Sequence, residues 1–272
     1  MGDRPFAETL EEGIEFQKRA GFDACDITLP NLFTDGKIRS EDLDTLLSAS
    51  ERLGLPMRLS HLPFSTAINR DPSLLPDFTR RVHEAIDAAA YLGIELAVLH
   101  PNTVTLPQEE LDVACERERV LAHLSPFAEH AARVGVRLAV ENMRLVHEHY
   151  PTRRYCQYPE ELCDIADTLG LSVCWDFGHA NLSPILQSEA LAYIGKRLAV
   201  LHVNDNTGND DDHLPPFLGT VDWQDAMHGL ALSGFDGIFN YETRSYYLPE
   251  ASRESYAQFL VDTAQVLISY IK

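Results

Sequence analysis

The stretch Leu171-Ser172-Val173-Cys174-Trp175-Asp176-Phe177-Gly178-His179-Ala180-Asn181 decides how the rest of the chain is read. It starts as a short apolar run of the kind that forms a buried strand and finishes in an acid and a histidine three residues apart. A buried strand ends in such groups only where something at its end uses them, because an unpartnered polar group costs free energy to bury. Carboxylate and imidazole emerging together are good ligands for a divalent metal. A hydrogen-bonded Asp–His pair without metal is the competing reading, so the question is whether the event recurs.

It recurs at regular intervals. Going outward from Asp176, apolar runs end in Glu141 and His100 on one side and in His202 and Glu242 on the other, with His61 earlier still. From His61 to Glu242 the separations are 39, 41, 35, 26 and 40 residues, each long enough for one strand and one helix. The runs themselves are Phe22–Leu29, Pro56–His61, Ile94–His100, Val136–Asn142, Leu171–Asp176, Leu198–Asp205 and Gly237–Glu242. Between them lie helical stretches over about 7–20, 40–53, 76–92, 108–133, 159–169, 183–195, 223–232 and 251–271, several closed by a glycine and the second opened by Ser40 as N-cap. The segment 143–158 reads as an irregular loop.

Strand and helix alternate without a break in composition, which points to one α/β domain over residues 1–272. In a closed parallel barrel every strand ends on one face, so the six polar residues converge there. In a doubly wound sheet the strand ends lie in a row and do not surround an ion. The expected fold is therefore a TIM (β/α)8-type barrel of parallel strands. Only seven strands are found, and Met1 to Phe6 is too short and polar to supply another, so the first strand is expected to be missing or vestigial. An uncovered sheet edge of that kind would suit a homodimer.

Composition narrows the function classes. With 42 Asp and Glu against 22 Lys and Arg the net charge is −20, which argues against a nucleic-acid partner. Five cysteines (Cys25, Cys115, Cys156, Cys163, Cys174) without CxxC spacing suit reduced thiols. The first residues lack the apolar core of a signal peptide, and no apolar run is long enough for a bilayer, so a cytoplasmic protein without a membrane partner is expected. Carboxylate and imidazole ligands without thiolate suit one divalent ion among Mn, Zn, Co and Mg.

These residues carry a family resemblance. Leu99-His100-Pro101, Val140-Glu141-Asn142, Trp175-Asp176-Phe177-Gly178-His179, Leu201-His202-Val203-Asn204-Asp205, Asp211-Asp212-His213-Leu214-Pro215-Pro216 and Tyr241-Glu242 resemble, in order, the motifs of the xylose isomerase-like TIM barrels. That superfamily holds sugar and sugar phosphate isomerases and epimerases, together with the family 2 AP endonucleases. The resemblance implies that Glu141, Asp176, His202 and Glu242 hold one metal, and that Glu141 and Glu242 exchange a proton at a sugar carbon through an enediolate. His61, His100, His179, Asp211 and His213 then bind substrate or form a further metal shell. With Glu141, Asp176, His202 and Glu242 they also match the nine positions of an endonuclease-like site of up to three zincs. Against that branch stand the acidic balance and the absence of a basic, aromatic run suited to DNA. A dehydratase on the same scaffold and a sugar- or metal-binding module remain as further alternatives.

Substrate contacts are less defined. After His202, where ketose epimerases resemble one another in carrying an arginine, this chain has Asn206-Thr207-Gly208-Asn209. Arg144 and Arg244, with Arg153 and Arg154, follow ligand strands and could hold a carboxylate or phosphate. Phe64, Trp175, Phe177 and Trp223 are candidates for pocket walls, with core packing the alternative for the tryptophans.

Overall fold

Seven parallel strands form one sheet in which each strand pairs with the next in sequence. They are β1 (Cys25–Thr28), β2 (Met57–His61), β3 (Leu96–Leu99), β4 (Arg137–Glu141), β5 (Ser172–Asp176), β6 (Leu198–Val203) and β7 (Ile238–Tyr241). The computed structural model describes residues 9–146, 148–149, 151–244 and 248–271. Met1 to Phe6, the stretch considered for a further strand, lies outside them.

The strands alternate with helices on the outside of a nearly closed barrel. These are α1 (Leu10–Ala20), α2 (Ser40–Leu53), α3 (Leu75–Tyr91), α4 (Val113–Val134), α5 (Pro159–Leu169), α6 (Phe177–Asn181), α7 (Gln187–Ile194), α8 (Trp223–Ser233) and α9 (Glu250–Ser269). Helix α1 packs against both α2 and α9, so the helical ring is continued across the seam between β7 and β1. At that seam the strands share no ladder among the described residues, and the Asn240 amide donates to Asp26 Oδ2 at 3.1 Å.

Side-chain alternation explains why the site lies where it does. Within β3, Leu96 and Val98 belong to a small apolar cluster inside the barrel, whereas Ala97 and Leu99 join the large core between sheet and helices. The same period of two puts Leu59, Ala139, Cys174 and Val200 inside and Leu138, Val140, Val173, Trp175, Leu201 and Val203 outside. His61, His100, Glu141, Asp176, His202 and Glu242 lie an even number of residues from the inward members of their strands. They therefore cap the barrel interior as its last inward layer. Each fully buried Leu or Val beneath them contributes roughly 1.5–3 kcal/mol relative to exposure.

Several local expectations are corrected. Ser40 is the first residue of α2, and the cap position is Arg39, which makes no side-chain cap bond. Helix α1 begins at Leu10 behind a capping box of Thr9 and Glu12. The expected helix over 108–133 is divided, because Asp112 caps α4 from Cys115 N and leaves only a turn at 108–110. The expected helix over 183–195 is confined to α7, and the short α6 follows β5 directly because the Asp176 carboxylate accepts from His179 N. The loop 143–158 is not wholly irregular: Thr152–Arg154 pairs antiparallel with Thr105–Pro107. No helix of the described residues is long and apolar enough to cross a membrane.

Candidate metal centre and its cavity

Glu141, Asp176, His202 and Glu242 come from the ends of four successive strands, β4 to β7, and each offers one ligand atom within 4.8 Å of the others. His202 Nδ1 is 3.3 Å from Glu141 Oε1 and 3.0 Å from Glu242 Oε2. Glu141 Oε2 and His202 Nδ1 are buried yet lack a hydrogen-bond partner with good geometry. Buried polar atoms left in this state next to two further carboxylates fit a divalent cation, which would take the place of the proton that these carboxylates hold on His202. Cys174 also lies near Glu141 and His202, but burial pushes its thiol far up, which leaves the oxygen and nitrogen donors as the candidate set.

Asp176 is held rigidly from several sides. Its Oδ1 accepts from His179 N at 2.6 Å, and its Oδ2 accepts from the Asn204 amide at 2.7 Å. Asn142 clamps the strand end, accepting from Asp176 N at 2.6 Å and donating to Asp176 O at 3.0 Å. Gly178 leaves room for this arrangement, because a Cβ there would lie 1.9 Å from Asn204 Oδ1. Such partners fix the direction of a ligand carboxylate before any ion arrives.

A second donor group adjoins the first. His61 Nε2 and His100 Nε2 are 3.2 Å apart, and Glu141 Oε2 lies 3.6 Å from the former and 3.1 Å from the latter. His61 Nδ1 is 2.8 Å from the Leu62 carbonyl, to which it can donate, so Nε2 is the nitrogen turned toward His100 and Glu141. A third group is built on Asp211, whose Oδ2 lies 3.2 Å from His213 Nε2 and 3.8 Å from His179 Nε2. The other ring nitrogens meet backbone carbonyls, His179 Nδ1 at Asn142 O and His213 Nδ1 at Glu242 O. All nine positions named from sequence thus converge, eight of them lining one cavity of about 400 Å³ and Asp176 buried beneath it.

Crowding makes the electrostatics strongly perturbed. Burial raises Asp176, with the neighbouring acids adding to it, up to about 7. Burial alone would raise Glu141 as well, but His202 and His100 hold it well below its ordinary value. Burial likewise opposes protonation of His179 and His213, yet Asp176 and Asp211 bring the first to about 10 and Asp211 brings the second to about 9. Burial lowers His100 more than Glu141 raises it.

The loop bearing Asp211 and His213 is fastened by Asp205. Its Oδ1 accepts from Asn206 N and Val221 N at 2.9 and 3.0 Å, and its Oδ2 accepts from Phe217 N and Trp223 Nε1 at 3.1 and 3.0 Å. Asp205 belongs to a quoted motif, but nothing local in the sequence distinguishes an anchor from a ligand.

Of the arginines, Arg144 and Arg244 line the cavity as expected, Arg144 with its Nε 3.6 Å from Asp211 Oδ2. Arg153 does not, because Glu161 pairs with it on the far side of the ribbon. Arg154, next in sequence, lines the cavity instead. Phe64 is in the wall, stacked on His100 with ring centroids 4.4 Å apart. Trp175, Phe177 and Trp223 are core residues behind the strands. Asp26 also lines the cavity and was missed; its even-numbered parity with Thr28 on β1 was the available signal.

A parallel α/β barrel with carboxylates and imidazoles gathered at the C-terminal ends of its strands defines the class. The sequence matches the xylose isomerase-like TIM barrel family over residues 14–262, and the chain belongs to that family. It is 26% identical over 266 residues to the uncharacterised protein MJ1311 of Methanocaldococcus jannaschii, covering 93% of this chain and 85% of that one. Among solved structures it resembles a D-tagatose 3-epimerase-like protein, with a TM-score of 0.75 and 22% identity, covering 100% of this chain and 99% of the other. It also resembles a D-allulose 3-epimerase from Methylomonas sp. in complex with D-allulose, with a TM-score of 0.71 and 18% identity, covering 97% and 91%.

Proposed function

We propose that the protein is a divalent-metal-dependent isomerase or epimerase acting on a small sugar or sugar-derived ketose. The observation that carries this reading is the approach of Glu141 and Glu242 to the same nitrogen of His202, above Asp176, in a cavity of about 400 Å³. Glu141, Asp176, His202 and Glu242 would hold Mn, Zn, Co or Mg. A cation bound there would polarise a carbonyl and its neighbouring hydroxyl and so acidify the carbon between them. Glu141 and Glu242 are the two carboxylates available to remove and return that proton. His179 and His213, fixed through backbone carbonyls, present Nε2 toward Asp211 and are suited to orient substrate hydroxyls. Phe64 covers His61 and His100 and limits water on that side. The sugar 3-epimerases among the structural neighbours support the reading through shared fold.

The test is hydrogen exchange at carbon. Protein loaded with manganese is incubated with a ketose panel in D2O and followed by NMR. Deuterium enters the carbon beside the carbonyl, and Glu141→Gln and Glu242→Gln each slow it by about 10²–10⁴-fold. Binding of a sugar without exchange in the parent protein would instead indicate a binding module.

The group of His61, His100 and Glu141 favours a second reading, in which a further ion is shared through Glu141 and the chemistry is phosphodiester hydrolysis with up to three zincs. The net charge of −20 weighs against a duplex substrate. Close to three zincs per chain together with cleavage of abasic-site DNA would establish that reading; one metal per chain with no cleavage would end it.

A further inference from the structure

Arg154 and Arg244 both line the cavity that holds the candidate metal ligands, and neither has a carboxylate within ion-pair distance among the described residues. Arg52, Arg80, Arg117, Arg119 and Arg197 find carboxylates on the outside of the protein, whereas Arg154 and Arg244 line the cavity without one. A half-buried guanidinium without a counter-charge is costly unless a ligand supplies one.

The geometry of Arg154 specifies what the ligand presents. Its Nε donates to Thr103 Oγ1 and its Nη2 to Thr103 O, both at 3.0 Å. That uses the side edge of the guanidinium and leaves the end edge, Nη1 with the second proton of Nη2, as an unused two-donor fork. Thr103 is itself fully buried, and the preceding carbonyl, Asn102 O, is pinned by Asn69 Nδ2 at 3.1 Å and Arg119 Nη1 at 3.2 Å. The fork is therefore held in place before a ligand arrives, which is the arrangement that binds planar carboxylate or phosphate oxygens in pairs. Burial, with the like charge of Arg144 adding to it, lowers Arg154 to about 10.

We infer that the substrate carries an oxyanion, a carboxylate or a phosphate, which Arg154 and Arg244 hold while the metal end of the cavity holds the reacting carbons. This deepens the isomerase or epimerase reading and rests on it for the place of the reaction.

The test is binding. Manganese-loaded protein is titrated by calorimetry with D-fructose, D-fructose 6-phosphate and D-gluconate at matched ionic strength. At least one of the two anions is expected to bind about tenfold more tightly than D-fructose, and its identity tells phosphate from carboxylate. Arg154→Gln and Arg244→Gln should each weaken that anion at least about fivefold more than they weaken D-fructose. Arg154→Lys, which keeps the charge and loses the fork, should fall between, and with Arg244→Gln it keeps the test valid where Arg154→Gln does not fold. No anion preference, or a preference that survives both substitutions and so reflects direct metal coordination, overturns the inference. An arginine-dependent preference without deuterium exchange leaves it standing and removes the isomerase reading; exchange on neutral ketoses with no preference does the reverse.

Discussion

Replacing Asp205 by Asn changes no volume and removes one acceptor, so its consequences can be worked from four hydrogen bonds. The carboxylate accepts two donors at each oxygen, Asn206 N and Val221 N at one, Phe217 N and Trp223 Nε1 at the other. An amide can satisfy only one of these pairs and must turn its NH2 toward the other. Two buried donors are then left facing a third donor, at roughly 1–3 kcal/mol each. The expected loss is about 2–6 kcal/mol, directed at the 206–221 loop that bears Asp211 and His213. If the loss is felt globally, the melting temperature falls by roughly 4–24 °C for a chain of this size. If the loop opens by itself, its amides exchange at least about 30-fold faster, the equivalent of 2 kcal/mol, while strand amides do not change. Thermal melting combined with hydrogen exchange by mass spectrometry separates the two. A melting temperature within about 1 °C of the parent and unchanged exchange in 206–221 would refute the assignment of Asp205 as the fastener of this loop.

Three other outcomes follow from the same site. Gly178→Ala should drive the Asn204 side chain away from Asp176, since the new Cβ falls 1.9 Å from Asn204 Oδ1; manganese affinity measured against a chromophoric chelator should drop about 10–100-fold, and a change under twofold would contradict the role given to Asn204. Chelating the metal from protein loaded at about 100 times its dissociation constant should remove about 2.7 kcal/mol and lower the melting temperature by roughly 5–10 °C; an unchanged melt would mean that the site binds no ion. In the metal-free protein, His213 sits at about 9 because Asp211 outweighs burial, so the folded state holds this proton more tightly than the unfolded state does. Its stabilisation is complete below about 6.5 and is lost as the pH rises through 9; Asp176, raised to about 7, has the same sign between about 4 and 7. Metal-free protein should thus melt several degrees lower at pH 9 than at pH 6, whereas metal affinity should rise with pH as Asp176 and His202, both raised, give up their protons; a melting temperature that climbs from pH 6 to 9 would reverse the assignment.

How much was legible in the sequence depends on the range of the interaction concerned. Strand identity and the period of two are local, and together they select His61, His100, Glu141, Asp176, His202 and Glu242 as an inward layer. Parallel strands joined by helices all end on one face, so their convergence followed from the alternation alone. The motif around Asp211 and His213 came from the family resemblance, because a loop residue has no periodicity to place it.

Tertiary structure decided what no spacing could. Arg153 and Arg154 are neighbours in sequence, and only the pairing of Thr152–Arg154 with Thr105–Pro107 sends one to Glu161 and the other to the cavity. Trp175 reads as a pocket wall beside Asp176, but odd and even residues of a strand face opposite sides, and it packs against the helices. Asp26 reaches the site because the last strand returns beside the first, a closure across more than two hundred residues. Local pattern was enough for the barrel and for most of the carboxylates and imidazoles that crown it. Which arginines line the cavity, and which acid anchors the loop, was settled by contacts between segments that local pattern does not encode.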